Sequence, residues 1–126
     1  TDRFKAIVTH ASLWALDQFW PTTDGPWYWR REMTPEMAAA HSPHRLVDSI
    51  TTPMLVIHGD RDYRVPIGEA LRLWWELVSR HDGDPEDLPH RFLYFPDENH
   101  WILRPQNTVA WYETVTAFLD RHVLGK

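Results

Sequence analysis

Thr51-Thr52-Pro53-Met54-Leu55-Val56-Ile57-His58-Gly59-Asp60-Arg61-Asp62-Tyr63-Arg64-Val65-Pro66 is the stretch that decides how this chain folds. Met54 to His58 is an apolar run framed by a proline and a glycine, the pattern of a strand covered on both faces. Gly59 lets the backbone turn sharply into a tight polar loop, Gly59 to Arg64. Pro66 suits the first turn of a helix, because its missing N–H would have no partner there. Two carboxylates, Asp60 and Asp62, therefore stand just beyond the carboxyl end of a strand. Open α/β sheets place their chemistry at that edge.

The same alternation extends in both directions. Phe4 to Thr9 reads as a first strand, rich in apolar and β-branched residues, with His10-Ala11-Ser12 at its carboxyl end. Leu13 to Met33 is aromatic and broken by Pro21, Gly25 and Pro26, which predicts a loop with short helical turns over a pocket. Thr34-Pro35 opens a helix reaching about Ala40, and Ser42-Pro43 begins a turn that leads to the central strand. Beyond Pro66, the helical spacing of Ala70, Leu71, Trp74, Leu77 and Val78 predicts a helix ending near His81, before Asp82-Gly83-Asp84-Pro85. Arg91 to Phe95 is a third strand, followed by the loop Pro96-Asp97-Glu98-Asn99-His100. Val109, Tyr112, Val115, Phe118, Leu119 and Val123 mark a last helix, closed by Gly125. Strands alternating with helices give an α/β class with about three parallel strands and crossover helices.

Bulk properties narrow the function. A chain of 126 residues, 43% hydrophobic, is one domain or part of one. The net charge is −5 with the signs mixed, so no basic stripe for nucleic acid is present. No apolar run is long enough to span a bilayer, and no signal peptide opens the chain. The absence of cysteine excludes disulfides and thiolate metal sites and fits a reducing, cytoplasmic setting. Eight tryptophans point to a thick aromatic wall. With no initiator Met and a strand near its start, the chain reads as cut from something longer, and the unpaired sheet edge of such a piece invites self-association.

The chemistry follows from topology. In a parallel sheet the loops after successive strands emerge on one edge, so Asp62 and His100 can converge. A carboxylate beside an imidazole fixes the ring tautomer and stabilises the imidazolium formed when the ring takes a proton. Acid before histidine is also the chain order of the α/β-hydrolases, in which serine comes first. The competing readings are plainer: His100 as an ordinary loop histidine, Asp62 as a cap for the helix near Pro66, and Asp60 as a turn residue. His58, Asp60, Asp62 and His100 match no standard metal spacing. The remaining histidines, His10, His41, His44, His81, His90 and His122, read as surface or core residues.

His58 to Pro66 followed by Phe95 to His100 resembles the carboxyl-terminal part of the prolyl oligopeptidase family of serine peptidases, in particular its acylaminoacyl-peptidase and dipeptidyl-peptidase-like members. The resemblance runs from Arg3-Phe4-Lys5-Ala6 to the last helix. It implies that residues 1–126 are the carboxyl-terminal portion of an α/β-hydrolase peptidase domain. It further implies that Asp62, two residues before Arg64, is the triad acid, that His100 is the triad histidine, and that Val65 helps line the pocket for the residue before the scissile bond. The Trp-rich segment resembles the region supplying the aromatic wall, with Trp14 and Trp20 expected to face substrate. The Gly-x-Ser-x-Gly elbow and the upstream tyrosine that helps bind the oxyanion are missing. Ser12 is flanked by His10 and Trp14 where the elbow needs glycines, so the nucleophile is expected before residue 1. The activity implied is hydrolysis of short peptides with no cofactor, the partner being the missing amino-terminal part. The alternatives are an esterase or lipase of the same fold and a non-catalytic interaction module. The fragment alone is expected to be inactive.

Overall fold

A computed structural model describes residues 3–126. Its centre is a parallel sheet of β1 (Ile7–His10), β2 (Met54–Gly59) and β3 (Arg91–Phe95), in that spatial order. Val56 pairs with Thr9 on one side and Phe92 on the other, which fixes the register of all three strands. Every residue of β2 is buried, as its continuous apolar run requires of a middle strand covered twice.

Alternation along β2 divides the core. Met54 and Val56 face a cluster with Trp14, Ala15, Val47, Ala70, Leu73 and Leu77. Leu55 and Ile57 face the other way, against Phe95 and Phe118, with Trp111 and Val115 packed beside them. The first cluster brings in helix α4 (Gly68–Val78) and the second α5 (Pro105–Leu119). Full burial of side chains such as Leu55 and Ile57 stabilises the fold by roughly 1.5–3 kcal/mol each. This is a three-layer α/β arrangement with the sheet between helices.

The segment between β1 and β2 forms short elements: α1 (Leu16–Phe19), α2 (Pro26–Glu32), α3 (Pro35–His41) and a 3₁₀ helix, Pro43–Ser49. Proline occupies the first turn in each of the last three, where no donor is lost. The Thr34 hydroxyl accepts from the Met37 amide at 3.2 Å and caps α3. A short 3₁₀ turn, Pro85–Asp87, precedes β3, and a π-helical turn, Asp120–Leu124, continues α5 until Gly125 ends it with a left-handed φ of 69°. Among the described residues, no helix is long and apolar enough to cross a membrane.

Several boundaries and faces differ from expectation. β1 begins at Ile7 rather than Phe4, which is exposed, and α4 begins at Gly68 because the two residues after the loop form a turn. On α4 the buried face is Ala70, Leu73 and Leu77, while Leu71 and Val78 are exposed. On α5, Trp111, Val115 and Phe118 meet the sheet, while Val109 and Tyr112 face outward. Both helices carry apolar residues on more than one side, so spacing alone does not select the buried stripe. Trp14 is 4% exposed, packs in the core under α4, and its indole N–H donates to Glu76 Oε2 at 3.0 Å.

Candidate active site

Two loops at the carboxyl edge of the sheet are joined along their backbones. The Asp60 amide donates to the Phe95 carbonyl and the Arg61 amide to the Glu98 carbonyl, each at 2.9 Å. Gly59 is needed where they touch, since a Cβ there would lie 2.7 Å from the Glu98 carbonyl oxygen. The loop after β3 is held in turn by a buried carboxylate. Glu98 accepts from the Leu103 amide at 3.2 Å, the Arg104 amide at 2.8 Å and Asn107 Nδ2 at 2.8 Å, tying the loop to the first turn of α5.

These restraints bring Asp62 and His100 together. His100 Nδ1 lies 2.9 Å from Asp62 Oδ2. An ionised carboxylate only accepts, so Nδ1 carries the hydrogen and Nε2 presents its lone pair. The His100 side chain is 38% exposed, whereas that of Asp62 is fully buried. The other oxygen, Asp62 Oδ1, accepts from the amides of Arg64 at 2.9 Å and Val65 at 2.8 Å. Asp62 thus caps its own loop and not α4, which starts later. Burial by itself would raise the Asp62 carboxyl; the approach of His58, the Val65 amide and His100 outweighs it and holds the group below its ordinary value.

Val65 is buried in a cluster with Leu16, Phe19 and Ala38, and Trp20 and Trp29 pack against this same cluster. Val65 and Trp20 thus share one apolar cluster next to the acid loop. A cavity of about 360 Å³ opens next to His100, lined by Tyr63, Asn99 and Trp101 and by the Arg64–Asp24 ion pair of 2.7 Å. Trp101 is 65% exposed there. The Ser12 hydroxyl is engaged with that of Thr9, just after Ala11, whose φ of 49° makes the turn. Among the described residues, no group of three or more His, Cys, Asp or Glu is placed to hold a metal ion.

Three contributors escaped the sequence reading. Glu98 gives only the weak signal of an acid shortly before Pro105, and Trp101 only its adjacency to His100. The third, His58, is a histidine in an otherwise apolar strand, and it is completely buried beneath the acid loop.

A parallel sheet with a carboxylate–imidazole pair on adjoining loops at its carboxyl edge is the carboxyl-terminal part of an α/β-hydrolase fold. The model of the prolyl oligopeptidase family matches residues 1–126, and the chain belongs to that family. It is similar to dipeptidyl-peptidase 5 of Aspergillus fumigatus, at 34% identity over 95% of this chain and 17% of that protein. Dipeptidyl-peptidase 5 of Porphyromonas endodontalis is 35% identical over 94% of this chain and 18% of its own length. Among solved structures, an acylaminoacyl peptidase of Pyrococcus horikoshii superposes with a TM-score of 0.83 at 18% identity, over 97% of this chain and 21% of that one. A puromycin-hydrolyzing peptidase of Mycobacterium tuberculosis gives 0.82 at 23% identity, over 98% of this chain and 19% of that one. The chain spans less than a fifth of the curated relatives it matches.

Proposed function

We propose that this chain is the carboxyl-terminal portion of the catalytic domain of a serine peptidase acting on short peptides, and that it supplies the acid and the histidine of the triad. The observation that carries this reading is the 2.9 Å bond from His100 Nδ1 to the buried Asp62 Oδ2, which leaves His100 Nε2 free at the edge of a cavity. In that role His100 takes the proton of a serine hydroxyl supplied by another part of the protein, then returns it to the leaving amine. Asp62 keeps the ring in the required tautomer and stabilises the imidazolium. Val65 and Trp20 form the acyl-side wall through their shared packing. Membership of the family and the peptidase names of the relatives support the substrate class.

The test uses the full-length protein. Reaction with a fluorophosphonate and turnover of peptidyl nitroanilides are expected, both lost in His100→Ala. A folded full-length protein that neither reacts nor turns over any peptide or ester would leave the interaction-module alternative standing. Turnover of esters with no peptide hydrolysis would reassign the substrate.

A further inference from the structure

His58 occupies the next-to-last position of β2, with its side chain on the face opposite Leu55 and Ile57. It is completely buried. Its Nε2 lies 2.7 Å from the Val65 carbonyl oxygen and 3.3 Å from Asp62 Oδ2. Both neighbours are acceptors, so Nε2 carries the hydrogen. Nδ1 has no hydrogen-bond partner among the described residues. A leucine would fill a similar volume without burying an unpartnered ring nitrogen. The use of a histidine here therefore lies in the Nε2 donor.

That donor sits between two parts of the site. The hydrogen on Nε2 is directed to the Val65 carbonyl, and the same N–H lies 3.3 Å from Asp62 Oδ2, the oxygen that already receives His100, so the ring backs the carboxylate on its buried side. The Val65 peptide is held from both sides, its amide by Asp62 Oδ1 at 2.8 Å and its carbonyl by His58. The side chain of Val65 then stands fixed in the cluster with Trp20. His58, Asp62 and Val65 form one rigid unit, although the first belongs to the strand and the others to the loop.

We propose that His58 is a positioning residue: its Nε2–H, buried between Asp62 Oδ2 and the Val65 carbonyl, sets both the carboxylate that orients His100 and the wall that Val65 presents to the acyl side of a substrate. This rests on the peptidase reading given above. His58 touches no substrate and acts through the two residues it holds.

The test compares His58→Leu, His58→Asn and His58→Gln in the full-length protein. Glutamine carries an amide N–H at about the reach of the imidazole Nε2, asparagine falls a methylene short, and leucine has no donor. On peptidyl nitroanilides the leucine and asparagine variants should lose roughly 10–100-fold in kcat/KM, with most of the loss in kcat, and glutamine should restore most of it. The downfield N–H proton of the His100 imidazole, followed by NMR, should shift in leucine and asparagine and return in glutamine. A folded leucine or asparagine variant with unchanged kcat/KM overturns the proposal, as does glutamine no better than asparagine. If leucine does not fold, the glutamine–asparagine comparison decides by the same criterion. If the unmodified protein proves inactive, the peptidase reading fails, and the NMR signal still decides the role of His58: identical spectra in all three variants would overturn it.

Discussion

Gly59 at the end of β2 meets the backbone of Asn99 and Glu98 so closely that neither loop of the site could keep its place if a side chain grew between them. The acid loop and the histidine loop are in this sense one structure, hinged on a single residue without a Cβ. The Arg61–Glu98 backbone bond extends the same junction by one step toward Asp62 and His100.

Gly59→Ala should therefore separate the loops. The added methyl meets carbonyl oxygens rather than flexible side-chain ends, so relief requires backbone movement. A loss of roughly 1–3 kcal/mol in urea denaturation is expected. Activity of the full-length protein should fall more steeply than stability, because the shift acts on the His100–Asp62 distance. Unchanged kcat/KM in the folded variant would contradict the coupling.

Asp62→Asn keeps the size of the side chain and removes its charge. The amides of Arg64 and Val65 can still be accepted by one oxygen, so the loop should survive. The His100 ring would lose the acceptor that selects its tautomer, and kcat should drop by about 10³–10⁴ with little change in KM, as for triads in general. A ten-fold effect or less would place the acid elsewhere.

Acid stability should report the same carboxylates. Asp62 and Glu98 are both held below their ordinary values of 3.8 and 4.5: burial opposes this in each, and is outweighed by His58, the Val65 amide and His100 around Asp62 and by Asn107 and the Arg104 and Leu103 amides around Glu98. A depressed carboxyl stabilises the fold above its unfolded value, and that contribution is lost as pH falls through the folded one. His90 titrates in a higher window. Burial, then the charges of His81, Arg91 and His122, push it below 6.5, and its Nδ1 accepts from the Met54 amide at 3.2 Å. The unfolded chain takes up this proton first, so stability should decline as pH drops below 6.5. His90→Asn keeps an acceptor near Met54 and removes the titration, so denaturation midpoints at pH 5.5 and 7.5, chosen as about one unit either side of the imidazole value, should draw closer together.

Trp14→Phe separates a core role for that residue from a place in the substrate wall. Its indole N–H is the partner of the buried Glu76 carboxylate. Removing it should cost roughly 1–3 kcal/mol of stability. The KM for peptidyl nitroanilides should stay unchanged, whereas a several-fold rise in KM at constant stability would return Trp14 to the substrate wall.

The sequence by itself determined the strands and the loops that bear the chemistry. Met54–Gly59 and Arg91–Phe95 are short apolar runs with polar, turn-forming neighbours, and such patterns depend on residues close along the chain. The pairing of Asp62 with His100 was legible because parallel strands deliver successive loops to one edge. Tertiary structure alone decided which aromatic residues face inward, since Trp14 and Trp20 lie in one aromatic stretch but pack with different clusters. It also decided which stripe of α4 and α5 is buried, because each helix offers more than one. The use of His58 was likewise hidden, because its two polar neighbours lie four and seven residues away, around a loop whose path no local pattern specifies. Local preference fixes which segments become strands and turns; only packing in three dimensions determines which polar atoms are sealed together inside.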